Sequence, residues 1–409
     1  MVRALIGAGI FFCLECRSQE AVRTSLAGQD AAEARQRALA DQKANMRLGP
    51  VSLRFGSQFS MEANDNVKLE KHNEECDLIL RPQLNVVGVW RITERNSLTF
   101  STGVGYQYYV FDTETGSFYL TPGSEISFDL YVKDFIINVH NRFSYTPDVS
   151  GDAQVSGVGS RETLDNTTGV TVTWDLNDMV LMLGYDHVIH RVEESDSSNE
   201  DRTQDLFSLS GGFRLRPTTM VGVQVSGGFT DNDGEQNPDN SHVAGGVFYS
   251  AQLSERFRLR ATVGYVTYFF DDPPSGSGID IDSTVSAVYA DLSVQHRVSE
   301  SYSHALMAGR KLQAGFYNDT TDTIFANYSA SWRLFRKTSF RYTLSFEHYE
   351  DTQDDSDSGQ RYGFGCGFYR PLTEKLSASV DYNFYLKNAD DSAEDYTQNR
   401  LVLALGYSF

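Results

Sequence analysis

The chain has 409 residues and a formal net charge of −20, with 40% hydrophobic and 22% charged side chains. This composition supplies enough apolar groups for a folded core and excludes a chain that is disordered throughout. The acidic balance excludes a general nucleic-acid-binding protein, because such a protein needs a basic face to displace counterions from phosphates. After residue 16 no apolar run reaches the roughly 18 residues of a membrane-spanning helix, and the many Phe, Tyr and Gly residues favour strands, so we expect an all-β protein.

The N-terminal segment has the pattern of an export signal. Arg3 supplies positive charge, residues 4–14 form a short apolar stretch, and residues 16–18 form a small-x-small cleavage site. We therefore expect residues 1–18 to be a signal peptide. Residues 19–49 are rich in Ala, Gln and Arg with few large apolar residues, which predicts a periplasmic linker or a short partner-binding helix.

Residues 50–409 repeat one pattern, in which segments of roughly ten to fifteen residues alternate apolar with polar or small side chains. A period of two is that of a strand with two different faces. The final segment shows it in Leu401, Leu403, Leu405, Tyr407 and Phe409. A tilted membrane crossing needs about 9 to 11 residues, and these segments are long enough.

Tight and long connections alternate between these segments. The tight ones are 93–96, 133–134, 177–178, 217–219, 254–256, 299–301, 336–337 and 373–375. The long ones are acidic and rich in Gly, Ser and Asn, and include 148–166, 194–202, 231–240, 271–283, 351–358 and 388–395. Such alternation puts all tight turns at one rim, as in bacterial outer-membrane barrels. We predict a transmembrane antiparallel up-and-down β-barrel of about 18 strands over residues 50–409.

The aromatic residues agree with this fold. Trp90, Trp174 and Trp332 fall on the apolar face close to tight turns. Tyr106, Tyr108, Tyr265 and Phe269 fall on the same face near long loops. Two interfacial aromatic girdles are therefore expected around a closed barrel, since an open sheet edge in hydrocarbon would leave backbone amides unpaired.

Two segments resemble known outer-membrane proteins. The terminal Leu405-Gly406-Tyr407-Ser408-Phe409 resembles the C-terminal recognition signal of outer-membrane barrels, and the segment 58–67 is similar to the first outer loop of β-barrel porin families, some of which accompany exopolysaccharide export clusters. The resemblance implies a bacterial outer-membrane location, passive permeation or export, and assembly by the barrel-insertion machinery. It makes Gly406, Tyr407 and Phe409 the C-terminal insertion signal. No plug domain is evident before the first strand, which disfavours a TonB-dependent receptor.

Candidate catalytic pairs are few. His140 and Ser144 share the inner face of one strand, and Asp186 and His190 share that of another. A four-residue separation along a strand spans roughly 13 Å, which is too far for a nucleophile and its base to touch. Another strand would have to complete either pair, so we expect no enzyme activity and no catalytic residues.

No metal or cofactor site is expected either. Cys13 and Cys16 form a C-x-x-C spacing inside the N-terminal apolar stretch, without a second pair. The acidic segments 231–235 and 351–359 have closely spaced oxygens but lack the full ligand spacing of a calcium loop. We interpret them as solvated loop tips.

Charge on the inner face is more informative. The predicted inward basic residues are Arg54, Arg81, Arg91, Arg142, Arg214, Arg258, Arg260, Arg297, Arg333, Arg341, Lys387 and Arg400. The predicted inward acidic residues are Asp129, Asp175, Asp186, Asp291, Glu347 and Asp381. Two readings stay open: a basic lumen that favours anions, or Arg and Asp side chains that pair across strands to brace the wall.

The sequence therefore predicts a porin-like passive channel for polar or anionic solutes or a polysaccharide. A non-conducting structural or adhesive barrel is the alternative, and a barrel enzyme comes third. The expected partners are outer-membrane lipids and lipopolysaccharide, the barrel-insertion machinery and the solute itself, with no nucleic acid.

Overall fold

The structure is a computed structural model that describes residues 45–147, 156–157, 161–193, 201–233, 238–271, 283–314, 320–335, 337–352 and 358–409. The predicted signal peptide and residues 19–44 of the predicted linker lie outside the described residues. No helix within the described ranges is both long and apolar enough to cross a membrane.

Strands make up most of the described chain. They are β1 (Met46–Leu48), β2 (Val51–Asn64), β3 (Asp77–Arg91), β4 (Ser97–Tyr109), β5 (Ser117–Val132), β6 (Phe135–Thr146), β7 (Thr163–Asp175), β8 (Met179–Val192), β9 (Arg202–Arg216), β10 (Thr219–Asn232), β11 (Asn240–Ser254), β12 (Phe257–Phe270), β13 (Thr284–Arg297), β14 (Tyr302–Ala314), β15 (Thr320–Phe335), β16 (Thr338–Asp351), β17 (Ser358–Pro371), β18 (Leu376–Ala389) and β19 (Tyr396–Ser408). A short 3₁₀ turn, Ser392–Glu394, precedes β19.

The sheet closes on itself. Each strand from β2 to β19 pairs antiparallel with its chain neighbours, and β19 pairs with β2 from Arg400 opposite Asn64 to Ser408 opposite Gly56. The short strand β1 adds three residues beside β2, within the segment predicted as linker. Eighteen strands therefore form the barrel, and the predicted fold class is confirmed. Closure pairs the backbone groups that hydrocarbon could not satisfy.

Tight turns gather at one end of the barrel, here called the turn rim, and the long connections at the other, called the loop rim. The turn after β5 contains Lys133 at φ 53° and the turn after β7 contains Asn177 at φ 66°. A positive φ at a turn residue matches the twist of the two flanking strands. Both turns therefore return the chain within two or three residues.

The outer surface is apolar. Leu84, Val223 and Leu183 are between 56% and 60% exposed on alternate positions of their strands, which identifies that face as the lipid-facing one. The three tryptophans lie on this face near the turn rim, and Tyr108, Tyr265 and Phe269 lie on it towards the loop rim. The two predicted aromatic girdles are therefore present.

Large inner side chains lie flat against the wall over glycines. The Tyr289 ring on β13 covers Gly264 and Gly246 of the next two strands, and its hydroxyl accepts a hydrogen bond from Gln224 Nε2 on β10 at 3.2 Å. A Cβ on Gly264 would lie 2.3 Å from Tyr289 Cζ. These glycines let one side chain tie four strands together.

One ladder is incomplete. The β13–β14 pairing ends at Ala290 opposite Arg310, and in the described parts of both strands it goes no further towards the loop rim. Beyond that point Leu312 is 1% exposed and packs in an apolar cluster on β11–β14. The cluster consists of Ala244, Val266, Tyr268, Phe270, Ala287, Tyr289 and Leu312. Apolar packing thus takes over where the ladder stops.

Candidate solute pathway

Strand alternation puts the predicted basic residues on the inner face at two levels. Eight lie within four residues of the turn-rim end of their strands: Arg54, Arg91, Arg214, Arg258, Arg260, Arg297, Arg333 and Arg341. The other four, Arg81, Arg142, Lys387 and Arg400, lie nearer the loop rim. The structure adds residues that sequence reasoning missed, namely Glu62, Glu125, Asp165, Lys311 and Arg361. Each of these residues occupies an inward position in the apolar–polar alternation of its strand, and that position is the sequence feature that could have identified it.

Glu62 on β2 is the centre of the first group. It is 1% exposed, and its carboxylate accepts hydrogen bonds from Arg81 on β3 and from Arg400 on β19. Arg400 bonds both oxygens, at 2.9 and 3.0 Å. The Arg81 Nε donates to Gln107 Oε1 at 2.6 Å, and Gln107 in turn bonds Tyr109. The group spans the seam between the last and first barrel strands, with two cations for one carboxylate.

A second group lies on the neighbouring strands. Arg361 on β17 donates to Glu347 Oε2 at 2.6 and 3.1 Å, and its guanidinium lies 5.7 Å from the Tyr385 ring. Lys387 on β18 is fully buried, with its ammonium 5.3 Å from the Tyr349 ring. Desolvated cations over aromatic faces are stabilised by the ring quadrupole. Tyr385 lies on the strand next to that of Arg361, whereas Tyr349 lies two strands away from Lys387.

These two groups form one surface, here called the basic patch. It consists of Glu62, Arg81, Glu347, Arg361, Lys387 and Arg400 on β16–β19, β2 and β3. Four cations against two carboxylates leave a formal net charge of +2. Outside the strands, Glu394 lies 3.2 Å from the Lys387 ammonium and offsets part of that charge.

Part of the β6–β7 connection lies against the basic patch. The Lys387 ammonium donates to Ser156 Oγ at 3.2 Å, and Gly157 N donates to the carbonyl of Leu69 at 3.0 Å. Leu69 belongs to the β2–β3 loop, and its side chain is 2% exposed. Ser156 and Gly157 of this connection therefore lie against Lys387 of β18 and against the β2–β3 loop. Residues 148–155 and 158–160 lie outside the described residues.

Some inward charges brace the wall. Arg214 bonds both oxygens of Asp175 at 2.8 and 2.9 Å near the turn rim, across two strands. Arg260 instead lies 5.6 Å from the Phe248 ring. Cross-strand ion pairing therefore describes Arg214 and the Glu62 and Glu347 groups. The Glu62 and Glu347 groups nevertheless contain more cations than carboxylates.

A buried polar group occupies the wall of β5–β8. His140 on β6 has Nε2 2.9 Å from Asp186 Oδ1 on β8, and its Nδ1 lies 2.9 Å from Asn138 Oδ1. The strand between them contributes Gly169, in register with both residues. A Cβ there would lie 2.0 Å from Asp186 Oδ1, so the glycine makes the contact possible.

The partners of His140 in this group are a carboxylate and an amide. Both His140 ring nitrogens already contact oxygens of Asp186 and Asn138. The nearby Ser127 hydroxyl accepts a hydrogen bond from Asn138 Nδ2 at 2.8 Å. A nucleophile needs a base within hydrogen-bond reach. The candidate His190 likewise contacts Asp165 of the neighbouring strand, at 2.7 Å.

Among the residues that the structure describes, no group of three or more His, Cys, Asp or Glu side chains could hold a metal ion. The two acidic loops considered above lie partly outside this range, at residues 234–237 and 353–357.

The C-terminal signal residues sit at the turn rim. Phe409 N donates to the carbonyl of Phe55 on β2 at 3.2 Å, and the Phe409 ring contacts Tyr407 edge-on at 5.3 Å. Gly406 lies opposite Gln58 in the closing ladder. The three residues thus belong to the seam that completes the barrel.

Comparisons with known proteins agree with this architecture. No family profile and no curated protein sequence matches the chain. Among solved structures, OccK2 (OpdF) of Pseudomonas aeruginosa superposes with a TM-score of 0.50 at 10% identity, covering 88% of this chain and 98% of that one. OccAB3 of Acinetobacter baumannii gives a TM-score of 0.49 at 8% identity, covering 88% and 100%.

The chain is an outer-membrane β-barrel. The barrel resemblance and the fold class predicted from sequence are confirmed by the closed 18-strand sheet and by its likeness to OccK2. The predicted outer-membrane location agrees with the apolar outer face of that closed sheet. At this level of identity the likeness shows the fold alone, so the solute pathway is argued from the residues of this barrel.

Proposed function

We propose that this barrel is a passive, porin-like channel that admits small polar solutes and prefers anions. The observation that carries the proposal is the basic patch, with its formal charge of +2 at the level where the β6–β7 connection reaches the wall. A narrow, low-dielectric passage focuses such a field more strongly than open water. The eight arginines near the turn rim form a second basic level along the path of a solute through the barrel.

The contacts of Ser156 and Gly157 favour a small solute over a polysaccharide. Ser156 contacts the inward-facing Lys387, and an extended polymer would have to pass this contact. OccK2 has been crystallised with glucuronate, a small carboxylate rich in hydroxyl groups. That solute class matches a wall with cations, tyrosine hydroxyls and amides, and we take it as the class for this channel.

The apolar outer face and the closing seam indicate the partners of this chain in assembly. Outer-membrane lipids and lipopolysaccharide are the proposed partners of the apolar outer face. The proposed insertion signal for the barrel-insertion machinery is Gly406, Tyr407 and Phe409, which close the seam against β2.

Zero-current potentials across a salt gradient in planar bilayers test the channel. We expect anion preference, and we expect the double substitution Arg258→Gln/Arg260→Gln to weaken it without unfolding the barrel, because lumen substitutions tune selectivity. Arg310→Gln is the matched control, since Arg310 faces outwards and pairs with Asp322 at 2.6 Å. No current above background would favour the adhesive barrel, and cation preference at high salt would refute the charge argument.

A further inference from the structure

Three glycines alternate along the inner face of β17. Gly363, Gly365 and Gly367 face the lumen, because Phe364 and Phe368 of the opposite parity are 40% and 49% exposed on the outer face. On β11 and β12 the inner glycines lie under an aromatic ring, as described above. Over Gly365 and Gly367 the nearest side chains are instead short and polar, so the wall is recessed there.

Side chains from both flanking strands converge over Gly365. Thr343 on β16 and Asn383 on β18 are both in register with this glycine. A Cβ on Gly365 would lie 2.5 Å from Thr343 Oγ1 and 2.9 Å from Asn383 Oδ1. The two oxygens are therefore at most about 5.4 Å apart. The absence of a Cβ leaves the space between them open.

The same arrangement continues above and below. A Cβ on Gly363 would collide with Ser345 Oγ of β16, and one on Gly367 would collide with the Asp381 carboxylate of β18. The recess spans four residues of β17, which is about 13 Å along the strand. We call it the glycine shelf, and its polar side chains are Thr343, Ser345, Asp381 and Asn383.

These four side chains keep their hydrogen-bonding capacity. In the part of the chain that the structure describes, none of them makes a side-chain hydrogen bond or an ion pair. Thr343 is exposed and the other three are half-buried, all on the lumen side of the wall. Hydroxyl and amide groups can each donate or accept, and a carboxylate accepts. The shelf therefore offers both kinds of partner to a solute.

One solute hydroxyl fits between the two oxygens over Gly365. Hydrogen bonds between hydroxyl oxygens have a length of about 2.7–2.8 Å. An oxygen midway between Thr343 Oγ1 and Asn383 Oδ1 lies within that length of both. It can accept from the threonine hydroxyl and donate to the amide carbonyl, which uses both of its own hydrogen-bonding functions.

The shelf adjoins the basic patch. Asn383 is in register with Arg400, which holds Glu62 with two hydrogen bonds, and Gly363 is two residues from Arg361. A solute whose carboxylate is attracted to the patch therefore has its other end over the shelf. Asp381, at the far end of the shelf, repels a carboxylate and accepts from hydroxyls, which favours this orientation.

We propose that the glycine shelf is a binding subsite for the hydroxyl groups of a small hydroxylated carboxylate, and that it separates such solutes from carboxylates without hydroxyls. The inference rests on the proposed function in one respect, namely that the solute reaches the shelf through the lumen. It assigns the recognition of hydroxyl groups to Thr343, Ser345, Asp381 and Asn383, whereas the basic patch attracts any anion.

Gluconate and hexanoate test the shelf, because they share six carbons and one carboxylate and differ in their hydroxyls. Saturation-transfer NMR titration of the purified barrel measures the Kd of each. Thr343→Val/Asn383→Leu removes one hydroxyl and one amide without changing charge. We expect its Kd for gluconate to rise about tenfold, as for two lost hydrogen bonds, and its Kd for hexanoate to stay unchanged.

The matched control is Thr262→Val/Gln295→Leu, which removes the same groups from inward positions of β12 and β13. It should bind both solutes as the wild type does. Heat-modifiability verifies folding of each variant. If the shelf double variant does not fold, Gly365→Ala carries the test, because its Cβ occupies the recess while every polar group is kept, and it should also weaken gluconate alone.

Chloride current in planar bilayers, measured on the same proteins, separates this inference from the proposed function. A wild type that binds gluconate more tightly than hexanoate without conducting would refute the channel and retain the shelf. Equal gluconate affinity in the wild type and the shelf variants would overturn the shelf, even with chloride current intact. A wild type that binds hexanoate as tightly as gluconate would overturn it too.

Discussion

Replacing Glu62 by Gln should destabilise the barrel by about 3 kcal/mol. Arg81 Nη1 and Arg400 Nη2 both bond Glu62 Oε2, at 2.5 and 3.0 Å, so the two nitrogens are at most about 5.5 Å apart. Without the carboxylate, two unit charges at that distance repel by roughly 3 kcal/mol at an effective dielectric constant of 20. The Arg81 and Arg400 side chains are only 15% and 16% exposed, so water screens them weakly. Removing one partner of a buried ion pair has a similar cost, roughly 3–5 kcal/mol.

Equilibrium unfolding of the refolded barrel in guanidinium, followed by tryptophan fluorescence, measures this difference. The same variant should raise the anion preference, because the basic patch gains one unit of net positive charge. Glu62→Gln/Arg400→Gln should recover much of the stability, since it removes the repulsion. Glu350→Gln is the control, because that side chain is 62% exposed on the outer face. Unchanged unfolding of Glu62→Gln would refute the electrostatic account.

Three further outcomes are expected. Gly169→Ala should lower stability by breaking the His140–Asp186 contact, as seen in guanidinium unfolding, whereas Gly245→Ala should be tolerated because nothing lies within 4 Å of its Cβ. Deleting Phe409 should reduce the yield of heat-modifiable protein in outer membranes, because the closing seam loses its last backbone bond. The Ala389 N–H, with help from the Lys71 ammonium, holds the pKa of Asp395 below its ordinary 3.8. Its bond to Ala389 is therefore retained above pH 3.8 and lost as pH falls further, so amide exchange at Ala389 should accelerate there in the wild type but not in Asp395→Asn.

The strands, their number and the two faces were predictable because each follows from local pattern. Alternation with a period of two identified the inner arginines, and the spacing of tight turns gave an even strand count. Aromatic residues near both ends of the apolar face gave the girdles. Each of these signals is contained within a single segment or in the connection between two segments.

Contacts between strands were not predictable in the same way, because register decides them. The sequence offers Ser144, on the same strand, as a candidate partner of His140. The observed partner, Asp186, lies two strands away across Gly169. A one-residue slip of β7 would move that glycine to the outer face and break the contact. Glu62 was missed for a related reason, since its importance comes from Arg81 and Arg400 on two different strands.

The charge of the lumen is divided between walls rather than spread evenly. The basic patch lies on β16–β3, and the wall of β5–β8, a third of the way round, holds Asp129, Asp165 and Asp186. A field therefore acts across the passage as well as along it. A solute with a carboxylate at one end and hydroxyls at the other is expected to turn its carboxylate towards the basic patch, at the level where Ser156 contacts Lys387. Net charge alone would attract any small anion, but a transverse field also favours solutes with a strong dipole, and this separates carboxylate sugars from chloride.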